Sequence, residues 1–139
     1  GNALANILTG NSAANILNGG GGDDRLIGGL GTDQLNGGAG NDVFVYTAVT
    51  DSSVALQDII ADFVRGNDRI DLSAIDANTA TVGDEAFTTL IASTSIFNAA
   101  GQLQLKNGVL YGNTDSDVDA EFAIALTGIT TLTNTDFIL

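Results

Sequence analysis

Residues 19–45 read GGGGDDRLI, GGLGTDQLN and GGAGNDVFV, three consecutive nonapeptides of the form G-G-x-G-x-D-x-U-x in which U is large and apolar. Every specified Gly and Asp position is filled, whereas an average protein offers Gly at only about 7% of positions. The phase extends upstream. Residues 1–9 (GNALANILT) and 10–18 (GNSAANILN) keep Gly at position 1, an amide at position 6 (Asn6, Asn15) and Leu at position 8. Five units therefore run in register from residue 1 to residue 45. A flexible glycine-rich linker has no reason to hold Asp and Leu in such strict register.

The period carries a mechanism. Glycines at positions 1, 2 and 4 permit positive φ and close backbone approach, so that carbonyls can converge on one point without Cβ atoms in the way. The remaining x-U-x is long enough only for a brief strand with one inward apolar side chain: Leu8, Leu17, Leu26, Leu35 and Phe44. If successive strands lie on opposite walls, two nonapeptides make one coil and equivalent residues recur two repeats apart. That stacks Asn6 on Asp24, Asn15 on Asp33, and Asp24 on Asp42. Stacked carboxylates repel unless a cation lies between them, and a cage of carboxylate and peptide oxygens suits a hard cation such as Ca²⁺. The candidate metal residues are therefore Gly20, Gly22 and Asp24, Gly29, Gly31 and Asp33, and Gly38, Gly40 and Asp42. The uncharged Asn6 and Asn15 form weaker upstream positions, or a simple turn or asparagine ladder.

These residues resemble the calcium-binding repeats of the RTX (repeats-in-toxin) family, which implies an all-β protein with a parallel β-roll. About three to four or more Ca²⁺ ions are expected. Counting nine onward from Asp42 gives Asp51, two repeats from Asp33 and hence a fourth possible pair. Residues 42–50 (DVFVYTAVT) are β-branched and aromatic, which predicts a longer strand.

Residues 57–76 (QDIIADFVRGNDRIDLSAID) read as two strands joined at Gly66-Asn67. This stretch is similar to the segment that follows the repeats in serralysin-type metalloproteases. The resemblance implies that Asp58 and Asp68 help to hold calcium at the end of the roll, while Asp62 and Asp71 read as turn caps or solvent-facing residues.

The expected division is a roll over residues 1–45 and a small antiparallel sheet or sandwich over 46–139, capping the roll's open end as stacked repeats require. Asn107-Gly108 in QLQLKNGVLYG predicts a hairpin with Leu105 opposite Leu110, and with Gln104 and Lys106 pointing outward. Residues 86–91 and 121–127 read as further strands. Asp115, Asp117 and Asp119 begin like an EF-hand loop, but the glycine and glutamate required later would be Ala120 and Leu126, so an acidic solvated loop is the expectation.

Composition bounds the rest. Seventeen acidic residues against four basic ones give −13, a surface that repels nucleic acid and anionic membrane. Four divalent ions, +8 in all, would leave −5. With no Cys and no His, disulfides, His-based zinc sites and imidazole triads are excluded. No apolar run is long enough for a membrane span, and no stable membrane insertion is expected. The start in mid-register predicts a fragment of a longer protein.

The RTX resemblance implies a secreted, extracellular bacterial protein. The implied partners are type I secretion machinery, reading a signal at 135–139 (TDFIL), and an upstream catalytic or adhesive domain. The module itself is expected to be monomeric and not an enzyme. Alternatives are an accessory polysaccharide-binding module, as in alginate epimerases, or an adhesin or surface-layer module.

Overall fold

The computed structural model describes residues 1–139 and contains strands, two one-turn 3-10 helices and no α-helix. Strands β1 (Ile7–Thr9), β2 (Ile16–Gly21), β3 (Arg25–Ile27), β4 (Gln34–Ala39) and β5 (Val43–Val45) alternate between two parallel sheets. Leu8 lies beside Leu26 and Leu26 beside Phe44 in one wall, and Leu17 lies beside Leu35 in the other. Two nonapeptides thus make one coil of a parallel β-roll.

The interior is one side chain deep. Leu26, Leu35 and Phe44 are fully buried, whereas Ile7 and Ile16, one position earlier in their repeats, face solvent. Burying each such side chain contributes about 1.5–3 kcal/mol. With two walls so close there is no room for a second apolar layer, which leaves the turns to be held by polar contacts.

The roll outlasts its glycines. β6 (Asp58–Ile60) joins the β2-β4 wall and β7 (Arg69–Asp71) joins the β1-β3-β5 wall, both in parallel, and Ile60 and Ile70 extend the buried column. The two strands expected around Gly66-Asn67 exist, but they face each other across the roll instead of pairing. Neither sheet breaks at residue 45. The longer strand expected over 42–50 is cut short at Val45, because Asp51 draws the chain into a 3-10 turn at Val49–Ser52.

The C-terminal strands extend the same walls. β11 (Phe122–Leu126) pairs in parallel with β6, and β10 (Val109–Asn113), β9 (Gln102–Lys106) and β8 (Thr89–Ile91) follow outward in a seven-stranded sheet. β9, β10 and β11 are antiparallel, with Leu105 opposite Leu110 across the Asn107-Gly108 turn, but β8 runs parallel to β9. The antiparallel sheet expected after the roll is present as β9–β11, and it continues the β2-β4-β6 wall. A single apolar cluster joins Leu26 and Phe44 to Phe87, Leu110 and Phe122, with Phe87 and Phe122 meeting edge to face at 5.5 Å.

Gln104 departs from the outward direction expected of it. It is buried, and its Nε2 donates to the carbonyls of Ala92 and Ser95 at 2.8 Å each. Alternation along β9 sets its face of the sheet, and the 92–97 loop covers that face. β12 (Phe137–Ile138) completes the other wall beside β7, so that of the 135–139 segment Phe137 and Ile138 are in a strand and Thr135 and Asp136 in the preceding 3-10 turn.

Candidate metal centre

The position-6 residues form two ladders, one at the N-terminal edge of each wall. In the first, the Asn6 N–H donates to Asp24 Oδ1 at 2.7 Å, the Asp24 N–H to Asp42 Oδ1 at 2.9 Å, and the Asp42 N–H to Asp68 Oδ1 at 3.0 Å. In the second, the Asn15 N–H donates to Asp33 Oδ1 and the Asp33 N–H to Asp58 Oδ1, each at 2.8 Å. Each carboxylate is thereby held by the backbone of the preceding coil. Stacking two repeats apart is as the period requires.

The other oxygen of each carboxylate is the informative one. Oδ2 of Asp24, Asp33, Asp42 and Asp58 is buried and has no hydrogen-bond partner. A buried carboxylate oxygen left bare costs about 1–3 kcal/mol or more, so four in one short roll call for a cation. Asp68 differs, since its Oδ2 accepts the Val64 N–H at 2.8 Å.

Glycine makes the room. A Cβ on Gly19, Gly28 or Gly37 would collide with Oδ2 of Asp24, Asp33 or Asp42 respectively. At Gly19 the carbonyl of Gly37, one coil on, also closes on the same space. These position-1 glycines were not among the candidates, although the sequence carries the signal: position 1 is Gly in all five units, whereas positions 2 and 4 are not. Gly20, Gly29 and Gly38 at position 2, and Gly22, Gly31 and Gly40 at position 4, lie against backbone of the preceding coil; a Cβ on Gly20, for example, would stand 2.7 Å from the Asn2 carbonyl.

Burial and mutual repulsion raise the proton affinity of this set. Asp58 is pushed up to about 7, first by burial and then by the charge of Asp33 and Asp51, against the lowering effect of the Asp33 N–H and Tyr46. Asp33 and Asp42 are raised chiefly by burial, with Asp51 adding to the first and Asp68, Asp24 and Asp62 to the second. Asp68 is raised by burial and by Asp62. Hard, anionic, buried oxygens beside peptide carbonyls fit a calcium ion.

Asp51 does not take the rung expected of it. Asp58 stacks on Asp33 instead, because residues 46–57 form a longer, glycine-free coil. The Asp51 carboxylate accepts the Thr47 N–H at 2.7 Å, the Thr47 hydroxyl at 2.8 Å and the Ala48 N–H at 3.1 Å. Its charge still reaches Asp33 and Asp58.

Asp62 caps the roll by accepting the Gly37 and Gly38 N–H groups at 2.9 Å each. Asp71 is paired with Arg25 at 3.2 Å. In the acidic loop, single oxygens of Asp115, Asp117 and Glu121 come within 4.8 Å of one another, and Asp119 stands outside the group. Its carboxylates are engaged in local turns, with Asp115 Oδ1 and Asp117 Oδ1 accepting the N–H two residues on at 2.8 Å. None of its oxygens is buried and bare.

The sequence matches the family described as peptidase M10 serralysin C terminal over residues 5–139. It is 40% identical to serralysin A of Dickeya chrysanthemi over 93 residues, covering 61% of this chain and 17% of that protein. The chain thus spans about a sixth of the length of the serralysin it matches. Its fold is similar to the solution structure of the R3 subunit from a mannuronan C5-epimerase of Azotobacter vinelandii, with a TM-score of 0.58, 24% identity, and coverage of 97% of this chain and 78% of that one. With the repeats, the two-walled roll and this match along nearly its whole length, the chain belongs to the serralysin C-terminal family of RTX-type modules.

Proposed function

We propose that this chain is a non-catalytic calcium-binding module that folds on extracellular calcium and supports the secretion and stability of a larger bacterial exoprotein. The observation that carries the reading is the row of buried, unpartnered Oδ2 atoms on Asp24, Asp33, Asp42 and Asp58. These four carboxylates are the proposed acidic ligands, with Asp68 at the end of its ladder. Position-1, position-2 and position-4 glycines admit backbone carbonyls beside them, and Asn6 and Asn15 supply neutral, weaker positions. Bound calcium supplies the positive charge that lets the stacked carboxylates stay ionised at close range.

The energetic scale supports a switch. Extracellular modules bind calcium with Kd of about 10⁻⁴ to 10⁻³ M. At ten times Kd each site adds about 1.4 kcal/mol, so four add about 6 kcal/mol, comparable with a whole domain's stability of roughly 5–15 kcal/mol. At sub-micromolar calcium the contribution nearly vanishes. Glycine entropy and carboxylate repulsion then keep the chain loose enough to be exported.

Export through a type I pathway is the finer part of the proposal. A signal within residues 135–139 would be legible only in the unfolded chain. On folding, Asp136 is buried, accepting the Thr133 N–H at 2.7 Å and pairing with Arg65 at 3.5 Å, and β12 enters the wall. Circular dichroism with and without millimolar calcium tests the switch. The expected result is a β-sheet signal that is lost on chelation and restored by calcium; an unchanged signal after chelation overturns the reading.

A further inference from the structure

One buried polar group in the roll has no place among the proposed calcium ligands. Tyr46 follows β5 on the first wall, where its N–H donates to the Asp71 carbonyl at 3.0 Å, yet its side chain crosses the interior to the second wall's ladder. Its hydroxyl is buried and has no partner of ordinary hydrogen-bond geometry. The neighbouring group is the Asp58 carboxyl, whose own Oδ2 is bare. A donor and an acceptor thus lie side by side, each unsatisfied, in a place closed to solvent.

The place is also where the repeat changes. At Gly1, Gly10 and Gly19, the space beside the position-6 side chain is shared by a glycine carbonyl from one coil on: Gly19, Gly28 and Gly37 respectively. At Gly28 the three nearest atoms are all Asp33's own, and the following coil, residues 46–57, has no glycine. What that coil brings to the Asp33/Asp58 pair is Tyr46, together with Ser52, whose Oγ accepts the Asp58 N–H at 2.8 Å. A phenol is protonated at neutral pH and carries one O–H to donate.

We propose that Tyr46 is a positioning residue of the Asp33/Asp58 cation position: its O–H donates to Asp58 Oδ2 and fixes the face of that carboxylate presented to the ion. A carboxylate oxygen has lone pairs for both tasks. Outer-shell donors of this kind typically change metal affinity 10-fold or more. The inference rests on the calcium reading and adds a residue to one site of it.

Tyr46→Phe keeps the ring in the core and removes only the hydroxyl. In calcium titration calorimetry it is expected to weaken one class of sites about 10-fold, leaving the others as they are. Asp58→Asn should remove that same class, and adding Tyr46→Phe to it should change nothing further, because the effect passes through Asp58. A Tyr46→Phe titration that superimposes on that of the unaltered chain, or one in which all sites weaken together, overturns the proposal.

A second measurement holds if Tyr46→Phe fails to fold. The chain has two tyrosines and no Trp, so in Tyr111→Phe the only tyrosine donor to bound terbium is Tyr46. Strong sensitised terbium emission, displaced by calcium, is expected; its absence overturns the proposal. A chain that binds no calcium at all refutes the underlying function, a result distinct from either of these.

Discussion

The Asp24 N–H donates to Asp42 Oδ1 at 2.9 Å, while the Oδ2 atoms of both residues are buried and bare. One oxygen of each carboxylate is thus spent on fixing its place, and the other is free for a cation. Asp42→Asn separates these duties, since its Oδ1 can still accept the N–H while one charge is gone. The expected outcome is about 10-fold weaker calcium binding at that position, roughly 1.4 kcal/mol, with higher stability than the unaltered chain in chelator because repulsion is relieved. Melting curves in calcium and in chelator check both signs; a loss of stability in both conditions contradicts the assignment.

Position-1 glycines and turn glycines should respond differently to Ala. Gly28→Ala would drive its Cβ into Asp33 Oδ2, so overpacking of about 1–3 kcal/mol should appear together with the loss of calcium stabilisation at that pair. Gly66 has φ +82 and open space around it. Gly66→Ala should therefore cost only backbone strain, about 1–3 kcal/mol, with calcium stoichiometry intact. Calorimetric stoichiometry of the two variants is the comparison.

Asp51 and Asp58 should part company in the same way. Asp51→Ala removes a cap on Thr47 and Ala48, which should cost about 1 kcal/mol, and lowers affinity at Asp33/Asp58 only through a lost nearby charge. Asp58→Asn should abolish a site. Equal losses of bound calcium in both would restore Asp51 to the rung that nine-residue counting assigns it.

Chelated protein should be more stable in mild acid than in mild base. The folded pKa of Asp58, about 7, lies above the ordinary 3.8, and Asp33, Asp42 and Asp68 are also raised. A raised carboxyl holds its proton more tightly when folded, so its contribution is fully present below the unfolded pKa and is lost as pH rises through the folded one. Asp136 is lowered by Thr133, Gly66 and Arg65, whose effects outweigh burial, and acts in the opposite sense, losing its contribution as pH falls. The raised groups, which include Glu121 through its burial, outnumber it. Melting temperature in chelator should therefore be higher at pH 5 than at pH 8, and calcium binding near pH 7 should release protons. A higher melting temperature at pH 8 in chelator would contradict this.

The roll and its ladders as far as Asp42 were legible because the glycine period rigidly couples spacing to stacking. Beyond Val45 the coupling fails. Residues 46–57 make a coil of a different length, so counting by nine reaches Asp51, whereas the next rungs are Asp58 and Asp68, each just ahead of or opening a strand whose apolar residue, Ile60 or Ile70, enters the core. Gln104 shows a different limit: strand alternation told its face of the sheet but not that a loop twelve residues earlier would cover it. Tyr46 falls within the 42–50 stretch that reads as a longer strand, and nothing local tells that a side chain leaving one wall ends at the opposite ladder.

The placement of β12 beside β7 sets an order of events. Residue 137 meets residue 70, and closing so long an excursion of chain is entropically slow compared with winding one coil onto the next. That outermost strand should be the latest to arrive and the earliest to fray, so amide exchange at Phe137 and Ile138 would give the first warning that the molecule is coming apart.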